Sequence, residues 1–302
     1  MLTTWTVEDG RCRVREGAIS DITAALPEAA RESAALVAAD ENLRRAVWID
    51  LLNPTPEEER AVQGALQLEI PTREEMQEIE SSSRLYREDD VLFLTANFLY
   101  GVDSGEYGST AISFVLTNST LVTVRYATPK AFTVFGARAQ RHPTLLQSPD
   151  AVMLHLFEQV VDRLADILEK VGADMDKASQ STFRASRADF KMQRRDDKLK
   201  NALFTLGQVG EVTTRASETL LGLSRILTFV GAEKATAVRK ENQAQIKTLV
   251  RDVRSLVEHA NFLNSKAQFL LDAVLGVINV EQNAIIKTCL LYTSDAADDT
   301  PC

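Results

Sequence analysis

The sequence predicts an α+β protein, in which a layered α/β domain with a mixed sheet precedes long antiparallel helices and a long final stalk helix. Seven of the eight prolines lie between Pro27 and Pro149, and the eighth is Pro301. Residues 151–287 therefore lack proline. Since a proline breaks a helix by removing a hydrogen bond and clashing with the preceding turn, this span can form long uninterrupted helices. β-favouring runs are confined to the first half of the chain. We place the α/β domain at 1–145 and the helical region with the stalk at 146–287.

An apolar repeat predicts that the last of these helices is a single one over 239–287. Its members recur at alternating steps of three and four: Ile246, Leu249, Val253, Leu256, Ala260, Leu263, Ala267, Leu270, Val274 and Val277. Such a seam is typical of helices packed lengthwise against neighbours. The whole helix would span roughly 70 Å at 1.5 Å per residue. Asp272 interrupts an otherwise apolar run, so it is either a plain exposed acid or one that faces a partner or an ion.

Local signals assign the other elements in order. A buried strand is expected at 46–51, followed by a helix that Thr55 caps and Pro56 begins. A second helix is expected from Thr72, with Glu75 as its capping-box partner. Strands at 91–98, 110–116 and 120–126 and a helix at 129–141 complete the domain, and helix breaks are expected near 179–186 and near Gly231.

Composition and charge exclude several functions. The chain has 302 residues and a net charge of −9, which disfavours a non-specific grip on nucleic acid. Three cysteines are too few and too scattered for a disulfide framework or a zinc site. Because no signal peptide and no transmembrane run of about 18 apolar residues is present, the chain taken alone is expected to be soluble.

The last fifteen residues, 288–302, differ in composition from the helix before them. We predict that this segment is a non-native tail from translated vector sequence, and a genuine disordered tail is the alternative.

The motifs of the common catalytic sites are missing, so we predict that the protein is not an enzyme. The sequence has no phosphate-binding glycine loop, no His-Glu-x-x-His and no nucleophile elbow. His155 is expected to be a packing residue, and Cys12 a small strand residue rather than a nucleophile.

Acidic residues offer the only candidate chemistry. Glu74, Glu75 and Glu78 on one predicted helix could help to bind hydrated Mg²⁺, which prefers carboxylate oxygen and retains several waters. From spacing alone, a solvated acidic face explains them better. Asp252 and Glu258 on the stalk leave the same choice open.

Several separated stretches resemble CorA-type magnesium transporters, with the closest likeness to the proteobacterial branch. The similar stretches are the run 269–287, the strand 47–51 with Pro54 after it, and 72–75 with Ile79, Glu80 and Arg84. The likeness covers nearly the whole chain to Lys287. The Gly-Met-Asn signature and both membrane helices of the family are absent, so we expect a chain that is truncated before the membrane.

The resemblance implies the cytoplasmic part of a homopentameric Mg²⁺ transporter, with Co²⁺ as a further cargo, at the cytoplasmic face of the bacterial inner membrane. It implies that the missing C-terminal helices tie the protein to the membrane. By position, Asp272 would join an acidic ring at the pore mouth, Asn283 would line the pore and Ile286 would form its apolar constriction. Regulatory Mg²⁺ would bind between subunits at Glu78, with Asp252 as the expected partner on the stalk.

Two other functions remain open at this point. A zinc transporter of the same fold would share these features, because the sequence shown does not decide the ion. A soluble coiled-coil scaffold would use the apolar seam only to assemble a homo-oligomer.

Overall fold

The computed structural model describes residues 1–17, 41–187, 192–232 and 238–298. Two compact units are present. The first comprises Met1–Asp166 with Arg215–Glu258, and the second comprises Ile167–Thr214 with the residues from His259 onward. The first unit contains the sheet, and the second is made of helices.

A mixed sheet with seven strands in the described residues forms the centre of the first unit. Its strands are β1 (Leu2–Glu8), β2 (Arg11–Gly17), β3 (Trp48–Leu52), β4 (Leu85–Glu88), β5 (Val91–Tyr100), β6 (Gly108–Leu116) and β7 (Leu121–Arg125). Their order is β2-β1-β3-β7-β6-β5-β4. Strands β3 and β7 run parallel, with Trp48 opposite Leu121, and the other pairs are antiparallel. The predicted mixed sheet is therefore confirmed.

Helices of very different lengths accompany the sheet. They are α1 (Pro56–Leu66), α2 (Ser81–Arg84), α3 (Lys130–Arg141), α4 (Pro149–Arg187), α5 (Met192–Ala232) and α6 (Gln243–Asp298). The first half of α4, the second half of α5 and the first part of α6, up to Glu258, all belong to the first unit. Consecutive long helices therefore run antiparallel, as the sequence predicts. No helix in the described part of the chain combines the length and the apolar character that crossing a membrane requires.

Buried aromatic and aliphatic side chains fill the core of the first unit. The indoles of Trp5 and Trp48 stack with their centroids 4.9 Å apart, and Phe114 meets Phe157 of α4 edge to face at 5.0 Å. Each such side chain contributes about 1.5–3 kcal/mol through burial. Gly222 allows α5 to approach β5 closely, because a Cβ atom there would lie 2.8 Å from that of Ala96.

The start of α1 confirms the predicted cap. The backbone N–H of Glu58 donates to the Thr55 hydroxyl at 3.3 Å, and the Thr55 N–H donates to the Glu58 carboxylate at 3.0 Å. This reciprocal pair satisfies two of the N–H groups that a helix start leaves without partners. Glu58 is buried, and its carboxylate also accepts from the Met1 amino group at 2.9 Å.

The helix predicted from Thr72 is wrong. Both capping-box hydrogen bonds between Thr72 and Glu75 form, at 2.8 and 3.3 Å, but only a 3₁₀ turn over Glu75–Gln77 follows. Glu78 already has extended backbone, with φ −57° and ψ 146°. Met76 is buried in the sheet core while Ile79 is 91% exposed, so this segment has no continuous apolar face to bury as a helix.

The helical half differs from expectation at two places. Helix α4 runs through 179–186, where a break was expected, because that stretch contains neither proline nor glycine. The break near Gly231 is confirmed, since α5 ends at Ala232. Helix α6 is the single long helix predicted. It was expected to stop at Lys287, but it continues to Asp298. The non-native origin of 288–302 stays a prediction.

Candidate functional site

The predicted apolar seam of α6 is buried. Of its members, those buried are Ile246, Leu249, Val253, Ala260, Leu263, Ala267, Leu270 and Val274. Leu256 and Val277 are partly buried. One side of α6 is therefore occupied by packing within the chain.

A second seam with the same alternating steps of four and three runs along α6 and is exposed. We call it the outer seam; its members are Arg251, Ser255, Glu258, Phe262, Ser265, Phe269, Asp272, Gly276, Asn279, Asn283 and Ile286. Phe262 is 60% exposed, Phe269 67% and Ile286 56%. Large apolar side chains on an exposed face at a heptad-like spacing are typical of a surface that a further helix covers.

The three pore residues inferred from the resemblance all lie on the outer seam. Asp272, Asn283 and Ile286 are exposed, so none of them takes part in the packing of α6 within the chain. Phe262 and Phe269 share this face and were not among the predicted site residues. The sequence indicates them, because both lie at the helical spacing of three, four or seven residues that places them on the same face as Asp272.

Glu78 is exposed and lies after the 3₁₀ turn rather than on a helix. Its backbone carbonyl accepts a hydrogen bond from the Arg84 Nε atom. Within the described residues, no hydrogen bond or ion pair joins Glu78 to Asp252. No group of three or more His, Cys, Asp or Glu in that part of the chain could hold a metal ion.

Asp252 lies half-exposed near the start of α6, close enough to Asp162 of α4 to add to the raised pKa of that carboxyl. Its carboxylate is 3.7 Å from the Arg251 Nε atom. Across from it, α4 carries Glu158, Asp162 and Asp166 at steps of four, which is one helix face. This acidic strip was not among the predicted sites, although its spacing of four residues already places the three acids on one helix face.

The pKa of the Asp162 carboxyl is raised, first by partial burial and then by the negative charges of Glu158 and Asp166. Arg138 opposes this shift, and Asp252 adds to it. The neighbouring carboxylates therefore add to an effect that burial causes first.

Replacing Asp162 with Asn should stabilise the protein slightly at neutral pH. Because its pKa is raised on folding, ionised Asp162 lowers stability as the pH rises through that pKa. The gain in D162N should be a few tenths of a kcal/mol at pH 7, since solvent screens this exposed group. It should vanish near about pH 3, where the carboxyl is protonated in both states. Urea unfolding of both proteins at the two pH values measures this, and an equal gain at both values would contradict it.

The start of α6 is anchored to α4 by one buried carboxylate. Asp150 is 2% exposed and accepts hydrogen bonds from the Arg239 backbone N–H at 2.8 Å and from the Asn242 side-chain amide at 2.7 Å. Its other oxygen accepts from the Ser148 hydroxyl at 2.5 Å. Asp150 thereby fixes where the helix with the outer seam begins.

His155 and Cys12, which the sequence analysis considered as candidate site residues, both lie in regular secondary structure. His155 is partly buried on α4, where its Nδ1 atom lies 3.1 Å from the Gln245 amide and 3.2 Å from the Glu158 carboxylate. Cys12 lies in β2, as predicted, and burial raises the pKa of its thiol. A raised pKa disfavours the reactive thiolate form.

Comparisons with known proteins agree with this architecture. The family model described as CorA-like Mg2+ transporter protein matches residues 44–290. The magnesium transport protein CorA of Escherichia coli K12 is 29% identical over 245 residues, which cover 81% of this chain and 74% of that protein. The chain therefore belongs to the family of CorA-like Mg²⁺ transporter proteins.

Solved structures show the same fold. The complete CorA magnesium transporter of Methanocaldococcus jannaschii matches with a TM-score of 0.70 and 11% identity, over 97% of this chain and 82% of that one. The ZntB cytoplasmic domain of Vibrio parahaemolyticus matches with a TM-score of 0.55 and 10% identity, over 77% and 87%. The family is one of transporters, which agrees with the prediction that the protein is not an enzyme.

Proposed function

We propose that this chain is the cytoplasmic regulatory and stalk portion of a divalent-cation transporter that carries Mg²⁺ and also Co²⁺. The observation that carries the proposal is the outer seam of α6, which keeps Asp272, Asn283 and Ile286 on one exposed face. The family match over 44–290 supports the same function. The native protein would act at the cytoplasmic face of the inner membrane, tied to it by helices that follow the stalk.

A homo-oligomer, a pentamer in this proposal, would bring the outer seams together around an axis. Phe262 and Phe269 would then be covered by neighbouring copies, which removes their apolar surface from water. Each residue of the seam would become a ring. A ring of Asp272 carboxylates attracts a hydrated cation, a ring of Asn283 amides offers polar contacts, and a ring of Ile286 side chains resists wetting and can gate.

Cytoplasmic Mg²⁺ would regulate the transporter by binding between subunits at Glu78 and Asp252. Glu78 is exposed and the Asp252 side chain is 48% exposed, so a neighbouring copy can reach both. Carboxylates suit Mg²⁺, which keeps several waters and needs only one or two of them. The acidic strip beside Asp252 repels itself when no cation is bound, and a cation would lower that repulsion. Mg²⁺ would thus favour the closed arrangement of the stalks.

Limited proteolysis of the protein at the full length its gene encodes tests this regulation. We expect millimolar Mg²⁺ to slow cleavage several-fold, and the double variant Glu78→Gln with Asp252→Asn to lose that protection. The matched control, Asp90→Asn with Glu106→Gln, removes two exposed carboxylates elsewhere and should keep it. Equal cleavage of the parent protein with and without Mg²⁺ would contradict the regulatory role.

Zinc is the second candidate cargo, because the ZntB domain shares the fold. Uptake assays with both ions distinguish the two. Mg²⁺ transport that excess Zn²⁺ does not abolish supports the first candidate, whereas Zn²⁺ uptake without Mg²⁺ uptake supports the second.

A further inference from the structure

A polar cleft in the first unit has no lining residue from α6. It adjoins the segment that carries Glu78, but Glu78 itself does not line it. Its volume is about 330 Å³, and it lies between the segment after Pro71 and the ends of β5 and β6. The side chains that define it are Arg73, Arg84, Asn97, Tyr100, Thr110 and Tyr126. This volume is at the lower end of the range for small-molecule sites, about 300–1,000 Å³.

Two arginines give the cleft its charge. They are the only charged residues among those that line it, so the lining is cationic on a chain whose net charge is −9. Within the described residues, neither guanidinium has a carboxylate partner. Arg73 lies over the Tyr126 ring, with its guanidinium carbon 4.8 Å from the ring centroid, and Arg84 donates only to the Glu78 carbonyl. Both groups therefore keep N–H donors that an anion can use.

The polar groups around the arginines are held in place. A Cβ atom at Gly108 would lie 2.7 Å from the Tyr100 hydroxyl oxygen, so glycine at this position makes room for the tyrosine ring. The amide of Asn97 and the hydroxyl of Ser109 both donate to the Glu218 carboxylate. Glu218 therefore takes one donor from each of these two side chains, and the arginines supply the positively charged donors of the cleft.

We propose that this cleft binds a small phosphate-bearing metabolite of about the size of a nucleotide. Guanidinium groups bind phosphate through paired N–H donors, and two of them match the charge of a phosphate dianion. The Arg73 guanidinium lies over the Tyr126 ring, and the remaining volume leaves space for a group attached to the phosphate. The negative charges of Glu59 and Glu74 lie close enough to Tyr126 to raise the pKa of its hydroxyl, after burial. They weaken the long-range attraction between the cleft and an anion, so the ligand must contact the arginines directly. This site does not depend on the proposed transport function.

Isothermal titration of the 302-residue chain in Mg²⁺-free buffer tests the proposal, with ATP, ADP, pyrophosphate, inorganic phosphate and adenosine as probes. We expect at least one phosphate compound to bind, and adenosine to bind at least tenfold more weakly than ATP. Tight binding of pyrophosphate or phosphate alone would identify an inorganic ligand, and tight binding only of ATP or ADP would identify a nucleotide. Both results support the site.

Substitutions locate the binding. The double variant Arg73→Gln with Arg84→Gln should weaken binding at least tenfold, while Arg73→Lys with Arg84→Lys keeps the charge and should lose less. Arg60→Gln in α1 removes one positive charge outside the lining and should bind like the parent. Thermal unfolding of each variant checks that it is folded. No binding of any phosphate compound at millimolar concentration, equal binding of adenosine, or an equal loss in Arg60→Gln would overturn the proposal.

Discussion

Replacing Arg125 with alanine should lower the free energy of unfolding by about 3–5 kcal/mol, because it leaves a buried carboxylate without its cation. Arg125 and Asp50 are both buried, with exposed side-chain fractions of 8% and 9%. The Nε and Nη2 atoms of Arg125 donate to the two Asp50 oxygens at 2.9 and 2.6 Å. Among the residues that the structure describes, only the Thr123 hydroxyl, at 2.7 Å, would still donate to that carboxylate.

A matched control separates burial from ion pairing as the cause. Arg13 pairs with Glu8 at 2.7 Å in the same sheet, but both side chains are exposed. Arg13→Ala should therefore cost no more than about 1 kcal/mol. Urea unfolding of the two variants measures the difference, and similar losses would show that Asp50 is not desolvated as the structure indicates.

Replacing Asp150 with alanine should cost about 3 kcal/mol and loosen the start of α6. The substitution leaves the Arg239 N–H and the Asn242 amide without their acceptor in a buried place. Hydrogen exchange should therefore rise at least tenfold over residues 239–246, while the sheet keeps its protection. The same variant should shift Mg²⁺ regulation, because it frees the helix that carries Asp252.

Asp174 in α4 provides the control for Asp150. Its carboxylate pairs with Lys177 at 3.0 Å, but the lysine side chain is 77% exposed. Asp174→Ala should change neither the stability by more than about 1 kcal/mol nor the exchange of α6. Unchanged exchange over 239–246 in Asp150→Ala would show that the anchor contributes little.

The sequence predicts those elements whose local signals and tertiary packing agree. Thr55 caps α1 as expected, and the periodic seam of α6 is buried as expected. Cys12 was expected in a strand, but the bounds of β1 and β2 were not predicted, because their turn at Asp9–Gly10 joins short runs in which polar and charged residues interrupt the apolar ones. The segment after Thr72 shows the opposite failure, since its capping hydrogen bonds form without a helix once Met76 is drawn into the sheet core.

Some residues of the candidate site can be placed from the sequence, and others depend on tertiary packing. The exposed positions of Asp272, Asn283 and Ile286 follow from helical spacing, so a resemblance at sequence level was sufficient to place them on one face. Glu78 could not be placed, because its backbone depends on where Met76 packs. The acidic strip opposite Asp252 depends on how α4 and α6 pair, which one helix's own pattern does not contain.

The most direct test of the account is Mg²⁺ entry into liposomes that contain the protein at the full length its gene encodes, followed with a Mg²⁺-sensitive dye inside. We expect entry well above that of protein-free liposomes, a loss of at least tenfold in Asp272→Ala, and little change in the control Asp90→Asn. Entry that does not exceed the protein-free background, or that Asp272→Ala leaves unchanged, would contradict the assignment of the outer seam to an ion pathway.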